Sequence, residues 1–86
     1  MRNEVGEIRD NGGKTFDRYT IEILVDVTDG DYGSTYYVGS GPTGNVPNGF
    51  FMVVDGPSDD PEIDFEDLPE RVQRDVLREV EGYVSH

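Results

Sequence analysis

Two short segments carry residue types that chemistry could use. Asp29-Gly-Asp31-Tyr-Gly33-Ser34 spaces its carboxylates like the first half of a calcium loop. A complete loop needs further oxygens and a bidentate Glu at its twelfth position. Counted from Asp29, that position is Ser40, so a hairpin turn is the better reading. Gly39-Ser-Gly41-Pro-Thr-Gly44 matches G-x-G-x-x-G. A dinucleotide fingerprint must open a helix inside a βαβ unit. Here Asn45-Val-Pro47-Asn-Gly49 follows and opens no helix, which leaves a surface loop. Asp59, Asp60, Glu62 and Asp64 could attract a divalent cation weakly, but their spacing makes no recognised site. The chain has no cysteine, and its one histidine, His86, is the last residue. No Ser-His-Asp or Cys-His arrangement can be built from these parts. A carboxyl acting as general acid needs a buried site to raise its pKa, and 86 residues leave little room for one. The sequence therefore predicts no enzyme, no metal and no cofactor.

The elements that position these residues are those of one small domain spanning 1–86. Leu, Ile, Val and Phe make up 22 of the 86 residues, above the roughly 20% at which disorder becomes the better expectation. Residues 4–9 read as a first strand, closed by the turn signal Asp10-Asn-Gly-Gly13. Tyr19, Ile21, Ile23, Val25 and Val27 alternate with Thr20, Glu22, Leu24 and Asp26, the period-two pattern of a half-buried strand. Asp29–Ser34 turns the chain, and Thr35–Val38 is a third strand. Gly39–Gly49 reads as an irregular loop. The apolar run Phe50–Val54 predicts a central strand, and Asp55–Phe65 an extended acidic segment. Asp67-Leu-Pro-Glu70 reads as a helix start, with Asp67 as N-cap. Leu68, Val72, Val76 and Val80, with Tyr83 or Val84, form its apolar stripe. The expected fold class is α+β: an antiparallel sheet of three to four strands with one C-terminal helix packed on one face.

Charge is the strongest signal. Nineteen acids stand against seven basic residues, giving a net charge of -12. That opposes direct binding to nucleic acid or to an anionic membrane, because both favour basic surfaces. No apolar run reaches the ~20 residues of a membrane span, and no signal peptide is visible. Between Arg18 and Arg71 there is no Lys or Arg, yet twelve acids fall there. The remaining seven acids are balanced by all seven basic residues. Solubility alone asks for a net charge of only about 2–8, so the excess invites a functional reading. Dense carboxylates attract basic surfaces and speed their encounter. The candidate partner-binding residues are Asp26, Asp29, Asp31, Asp55, Asp59, Asp60, Glu62, Asp64 and Glu66. In extended chain, Glu62, Asp64 and Glu66 would share one face at about 6.6 Å spacing, a loose match to the phosphates of a nucleic-acid strand. Asp67 and Glu70 fit helix capping instead.

Three stretches also carry a resemblance: Arg9-Asp-Asn-Gly-Gly-Lys-Thr-Phe-Asp-Arg-Tyr-Thr20, Tyr36-Tyr-Val-Gly39 with Pro47-Asn-Gly-Phe50, and Asp64-Phe-Glu-Asp-Leu-Pro-Glu-Arg-Val-Gln73. Together they resemble a family of small proteins seen in phages and other bacterial mobile elements. That family has no assigned activity, so no catalytic residue carries over. The resemblance implies a mobile-element setting and a host bacterial cytoplasm, where small acidic inhibitors of anti-CRISPR and anti-restriction type mimic nucleic acid. It points to a basic nucleic-acid-binding protein or complex as partner, a CRISPR effector among the candidates, with no direct nucleic acid and no membrane.

Two other readings stand beside this one. Tyr32, Tyr36, Tyr37 and Phe51 could anchor a protein interface or a homodimer, although Tyr36 and Tyr37 also suit the sheet and core. Salt adaptation would raise the acid content too, but it should spread acids along the chain rather than leave both ends neutral. Arg71, Arg74 and Arg78 are placed to pair with Asp75 and Glu79 along the helix.

Overall fold

A computed structural model describes residues 2–14, 17–41, 52–54, 56 and 58–82. The architecture is the α+β one expected. Three long antiparallel strands, β1 (Arg2–Asp10), β2 (Tyr19–Val27) and β3 (Ser34–Ser40), form the body of the sheet. Two short strands, β4 (Met52–Val53) and β5 (Glu62–Ile63), flank them in the order β4-β3-β2-β1-β5. A 3-10 turn (Phe65–Asp67) leads into α1 (Glu70–Val80), which packs on one face.

β2 sits at the centre because its alternation suits a sheet with one covered face. Tyr19, Ile21, Ile23 and Val25 are buried, while Thr20, Glu22 and Leu24 on the opposite face are only partly so. The buried set meets Ile8 of β1, Val38 of β3, and Leu68, Val72, Val76 and Val80 of the helical segment. The helical stripe is thus the one predicted as far as Val80; Tyr83 and Val84 lie outside the described residues. Val5, Tyr36, Ile63 and Phe65 pack around the rim of this core.

Two expectations need correction. The apolar run 50–54 does not supply a central strand. Among the described residues, only Met52 and Val53 pair, with Gly39 and Val38, at the sheet's edge. An unbroken apolar run signals burial on both faces, but the two described residues that pair have a partner strand on one side only. The helix also starts later than Asp67. Leu68 precedes a proline, which disfavours α backbone, and it is extended at φ -71°, ψ 147°. Pro69 occupies the N-cap, and Gln73 N–H makes the first helical bond to its carbonyl at 3.0 Å. Asp67 instead closes the 3-10 turn, its carboxylate accepting Asp64 N–H at 3.0 Å. The side-chain amide of Gln73 donates to Leu68 O at 2.9 Å and clamps turn to helix.

The hairpin signals behave as their chemistry dictates. At the β2–β3 turn, Thr28 and Asp31 exchange both backbone hydrogen bonds, at 2.8 and 2.9 Å. Asp29 (φ 49°) and Gly30 (φ 84°) are left-handed, the signature of a two-residue type I′ turn. At the β1–β2 turn, Asn11 Oδ1 accepts the N–H groups of Gly13 and Lys14.

Candidate acidic partner surface

The predicted site residues separate into two groups at opposite ends of the sheet. Arg2 of β1 lies opposite Val27, and Asp10 lies opposite Tyr19, so the two ends are about 25 Å apart at ~3.4 Å per residue. Asp29 and Asp31 are exposed on the hairpin at the Arg2 end. Asp59, Asp60, Glu62, Asp64 and Glu66 belong to the segment that runs past the Asp10 end and down the outer side of β1. Asp59, Glu62, Asp64 and Glu66 are exposed and Asp60 is partly buried. Asp55 lies outside the described residues.

Asp26 is different from the rest. It has φ 58° and sits where the β1–β2 register slips between Arg2 and Glu4, a bulge on β2. Its N–H donates to Asn3 Oδ1 at 3.1 Å, while Asn3 Nδ2 donates to Val80 O at 2.7 Å. Asn3 therefore ties the bulge to the end of α1, a positioning role that short-range patterning could not reveal.

The even ladder expected of Glu62, Asp64 and Glu66 is broken. The chain stays extended through Asp64 and then tightens into the 3-10 turn, so Glu66 leaves the two-residue repeat. What remains is an acidic edge in which Asp59, Glu62, Asp64, Glu66, Asp67 and Glu70 all face solvent. Arg9 holds this segment against the sheet, donating to Asp60 O at 2.9 Å and to Glu7 Oε2 at 2.9 Å. The hydrogen bond that Arg9 donates to the Glu7 carboxylate, with the fields of Glu7, Glu62 and Asp59, holds the Arg9 pKa above its ordinary value despite partial desolvation.

The ion pairs explain why the charge excess persists. Arg2 pairs with Glu4, Arg9 with Glu7, Arg18 with Asp10, and Arg78 with Asp75. Each of those four acids lies outside residues 19–70. Among the described residues, no acid of the basic-free middle makes an ion pair, and Arg71 and Arg74 make none either.

On the face opposite α1, Glu22 organises a polar cluster. Its Oε1 accepts Glu7 N–H at 3.0 Å and its Oε2 accepts the Tyr37 hydroxyl at 3.3 Å. Burial, reinforced by the Glu22 charge, pushes the Tyr37 hydroxyl pKa up. Tyr37 is thereby a sheet residue, and Tyr36 packs at the core rim, so of the candidate interface aromatics Tyr32 alone is strongly exposed among the described residues. Phe51 lies outside them. No group of three acids converges to hold a metal ion among the described residues. No described helix is long and apolar enough to cross a membrane.

The two best described motifs of the family resemblance prove to be structural. In the first, Asp10 and Arg18 form a two-pronged ion pair at 2.8 and 3.1 Å, and Asn11 caps the turn. In the last, Asp64, Asp67, Leu68 and Gln73 build the turn before α1. No protein-family model, curated protein or solved structure matches this chain.

Proposed function

We propose that this chain is a non-enzymatic acidic inhibitor that binds a basic nucleic-acid-binding surface and excludes DNA or RNA from it, in the manner of anti-CRISPR or anti-restriction proteins acting in a bacterial cytoplasm. The observation that carries the reading is that, among the described residues, no acid of the basic-free middle makes an ion pair. Among the described residues, the ion pairs form between acids and bases of the balanced ends, which leaves the exposed carboxylates of Asp59, Glu62, Asp64, Glu66, Asp67 and Glu70 outside any ion pair, with Arg9 the nearby cation. Such crowding costs stability through self-repulsion, and a basic partner would relieve it. The split of the acids between two ends of the sheet makes the Asp59–Glu66 edge the main contact, with Asp29 and Asp31 serving a second, smaller one.

Electrophoretic competition tests this reading. Purified basic nucleic-acid-binding complexes, CRISPR effectors and restriction enzymes among them, are loaded with labelled DNA or RNA and challenged with the chain. Displacement is expected at about 50 mM salt and should weaken steeply toward about 300 mM. The variant carrying Asp59→Asn, Asp60→Asn, Glu62→Gln and Asp64→Asn should lose most of it. Inhibition unchanged by those four substitutions would sink the proposal.

A further inference from the structure

The outer side of β1 is only half paired. Among the described residues, β5 meets it at Ile8 and Arg9, and just before β5 Pro61 O accepts Asp10 N–H at 3.0 Å. Alongside Glu4, Val5 and Gly6 no strand follows among the described residues, because the chain leaves the sheet at Asp64 to form the 3-10 turn. Between this open edge and α1 lies a groove of about 390 Å³. Val5, Ile8, Ile63, Phe65, Leu77 and Val80 make its apolar floor and walls. Leu77 is 54% exposed, an apolar side chain turned to solvent beside that groove.

An open strand edge invites another strand, and native proteins usually blunt such edges with a bulge, a charge or a covering element. Here the cover stops two residues into the pairing, and an apolar trough stands where the side chains of an added strand would go. A strand laid beside β1, in line with β5, would place alternate side chains in the trough and toward solvent. The polar rim decides what those side chains are. Glu4, Glu62 and Asp64 line the groove, and no basic side chain does among the described lining residues.

We infer that this groove takes an extended segment of a partner protein in which apolar residues alternate with Arg or Lys, added to β1 as a strand. Its backbone bonds to the open edge, its apolar residues fill the trough against Leu77, Phe65 and Val5, and its cations meet Glu62 and Asp64. A second copy of this chain is the poorer occupant, because two bodies of net charge -12 repel. The inference rests on the reading that the partner is basic and adds how that partner is gripped.

The test uses the full chain, labelled with nitrogen-15, and an array of synthetic peptides of about eight residues that alternate Arg or Lys with Val, Ile, Leu or Phe. The tightest peptide should shift the amide resonances of Glu4, Val5, Gly6 and Leu77 and slow hydrogen exchange at the β1 edge by about tenfold or more. Methylating alternate backbone nitrogens of that peptide should weaken binding about tenfold, and Leu77→Asp should do the same in a chain that still unfolds cooperatively. Binding that ignores backbone methylation, with shifts centred on Asp59 and Asp60, overturns strand addition and leaves the acidic inhibitor reading standing. Peptide capture at the edge by a chain that displaces no nucleic acid from any complex does the reverse. A dimer in sedimentation that Leu77→Asp dissolves, or slow exchange at Glu4–Gly6 in the peptide-free monomer, shows the edge already covered and also overturns the inference.

Discussion

The carboxylate of Glu22, on the middle strand, reaches the N–H of Glu7 where β1 bulges, and it can do so only because residue 6 is glycine. The β1–β2 register slips between Val5 and Ile8, so Gly6 and Glu7 together oppose Glu22. A Cβ built on Gly6 would collide with the Glu22 carboxylate. The bulge turns the Glu7 N–H off the ladder, and Glu22 Oε1 accepts it at 3.0 Å.

Gly6→Ala should therefore displace the Glu22 side chain and cost about 0.5–1.5 kcal/mol, the net range for losing one hydrogen bond. In the Glu22→Ala background the same substitution should cost much less. A double-mutant cycle read by urea unfolding measures this coupling; additive effects would show that the collision does not govern the bulge.

Asn3→Ala should destabilise the fold by about 1–2 kcal/mol, since it removes the acceptor for Asp26 N–H and the donor to Val80 O. Hydrogen exchange at the Asp26 amide should rise further than at Ile21 or Ile23, whose pairing with β1 and β3 is unchanged. Uniform acceleration at all three would mean that Asn3 clips nothing locally.

The Asp10–Arg18 pair makes stability depend on pH. The Arg18 hydrogen bond holds the Asp10 carboxyl below its ordinary pKa, helped by Gly12 N–H and opposed by partial burial. Its folded value thus lies below the unfolded one near 3.9. The stability it contributes is complete above about pH 4 and disappears as pH falls through the folded value. Asp10→Asn should lower stability by about 1–2 kcal/mol at pH 7. Urea midpoints measured down to about pH 2 should show the gap to the unsubstituted chain closing in acid. A gap that stays constant with pH would exclude the charge as its cause.

Adjacent helix positions should respond in opposite ways. Val76 is 1% exposed and Leu77 is 54% exposed. Val76→Ala should cost about 1.5–3 kcal/mol through lost burial and an unfilled space. Leu77→Ala should stay within about 0.5 kcal/mol, which leaves it free to report on the groove rather than on the fold.

Neutralising the acidic edge should stabilise the chain. With Asp59→Asn, Asp60→Asn, Glu62→Gln and Asp64→Asn together, the urea midpoint at low salt should rise and its dependence on added salt should shrink, because like-charge repulsion is what salt screens. A chain that unfolds in low salt and folds only in molar salt would instead favour salt adaptation.

Local pattern and charge were legible in the sequence because each depends on neighbours along the chain. The alternation of β2 holds from Tyr19 to Val25, where the bulge at Asp26 ends it and leaves Val27 only partly buried, and the stripe from Leu68 to Val80 is the buried side of the helical segment. The basic-free middle was countable directly. Other features depend on what meets across space. The edge place of β4 is set by its pairing with β3 across the sheet, and the late helix start follows from Pro69 and the turn that Asp67 closes. The bulges at Gly6 and Asp26 arise from strand register, which no local period encodes. Whether the acids share one surface was also a tertiary matter. Antiparallel pairing of β1 with both β2 and β5 sends Asp29 and Asp31 to one end of the sheet and Asp59 and Asp60 to the other. The sequence determined how much negative charge the chain carries and that its middle has no cation to offset it. Only the fold, by pairing Arg2, Arg9, Arg18 and Arg78 with acids of the two ends and by stopping β5 after two residues, decided where that charge stays outside ion pairs and which strand edge lies open beside it among the described residues.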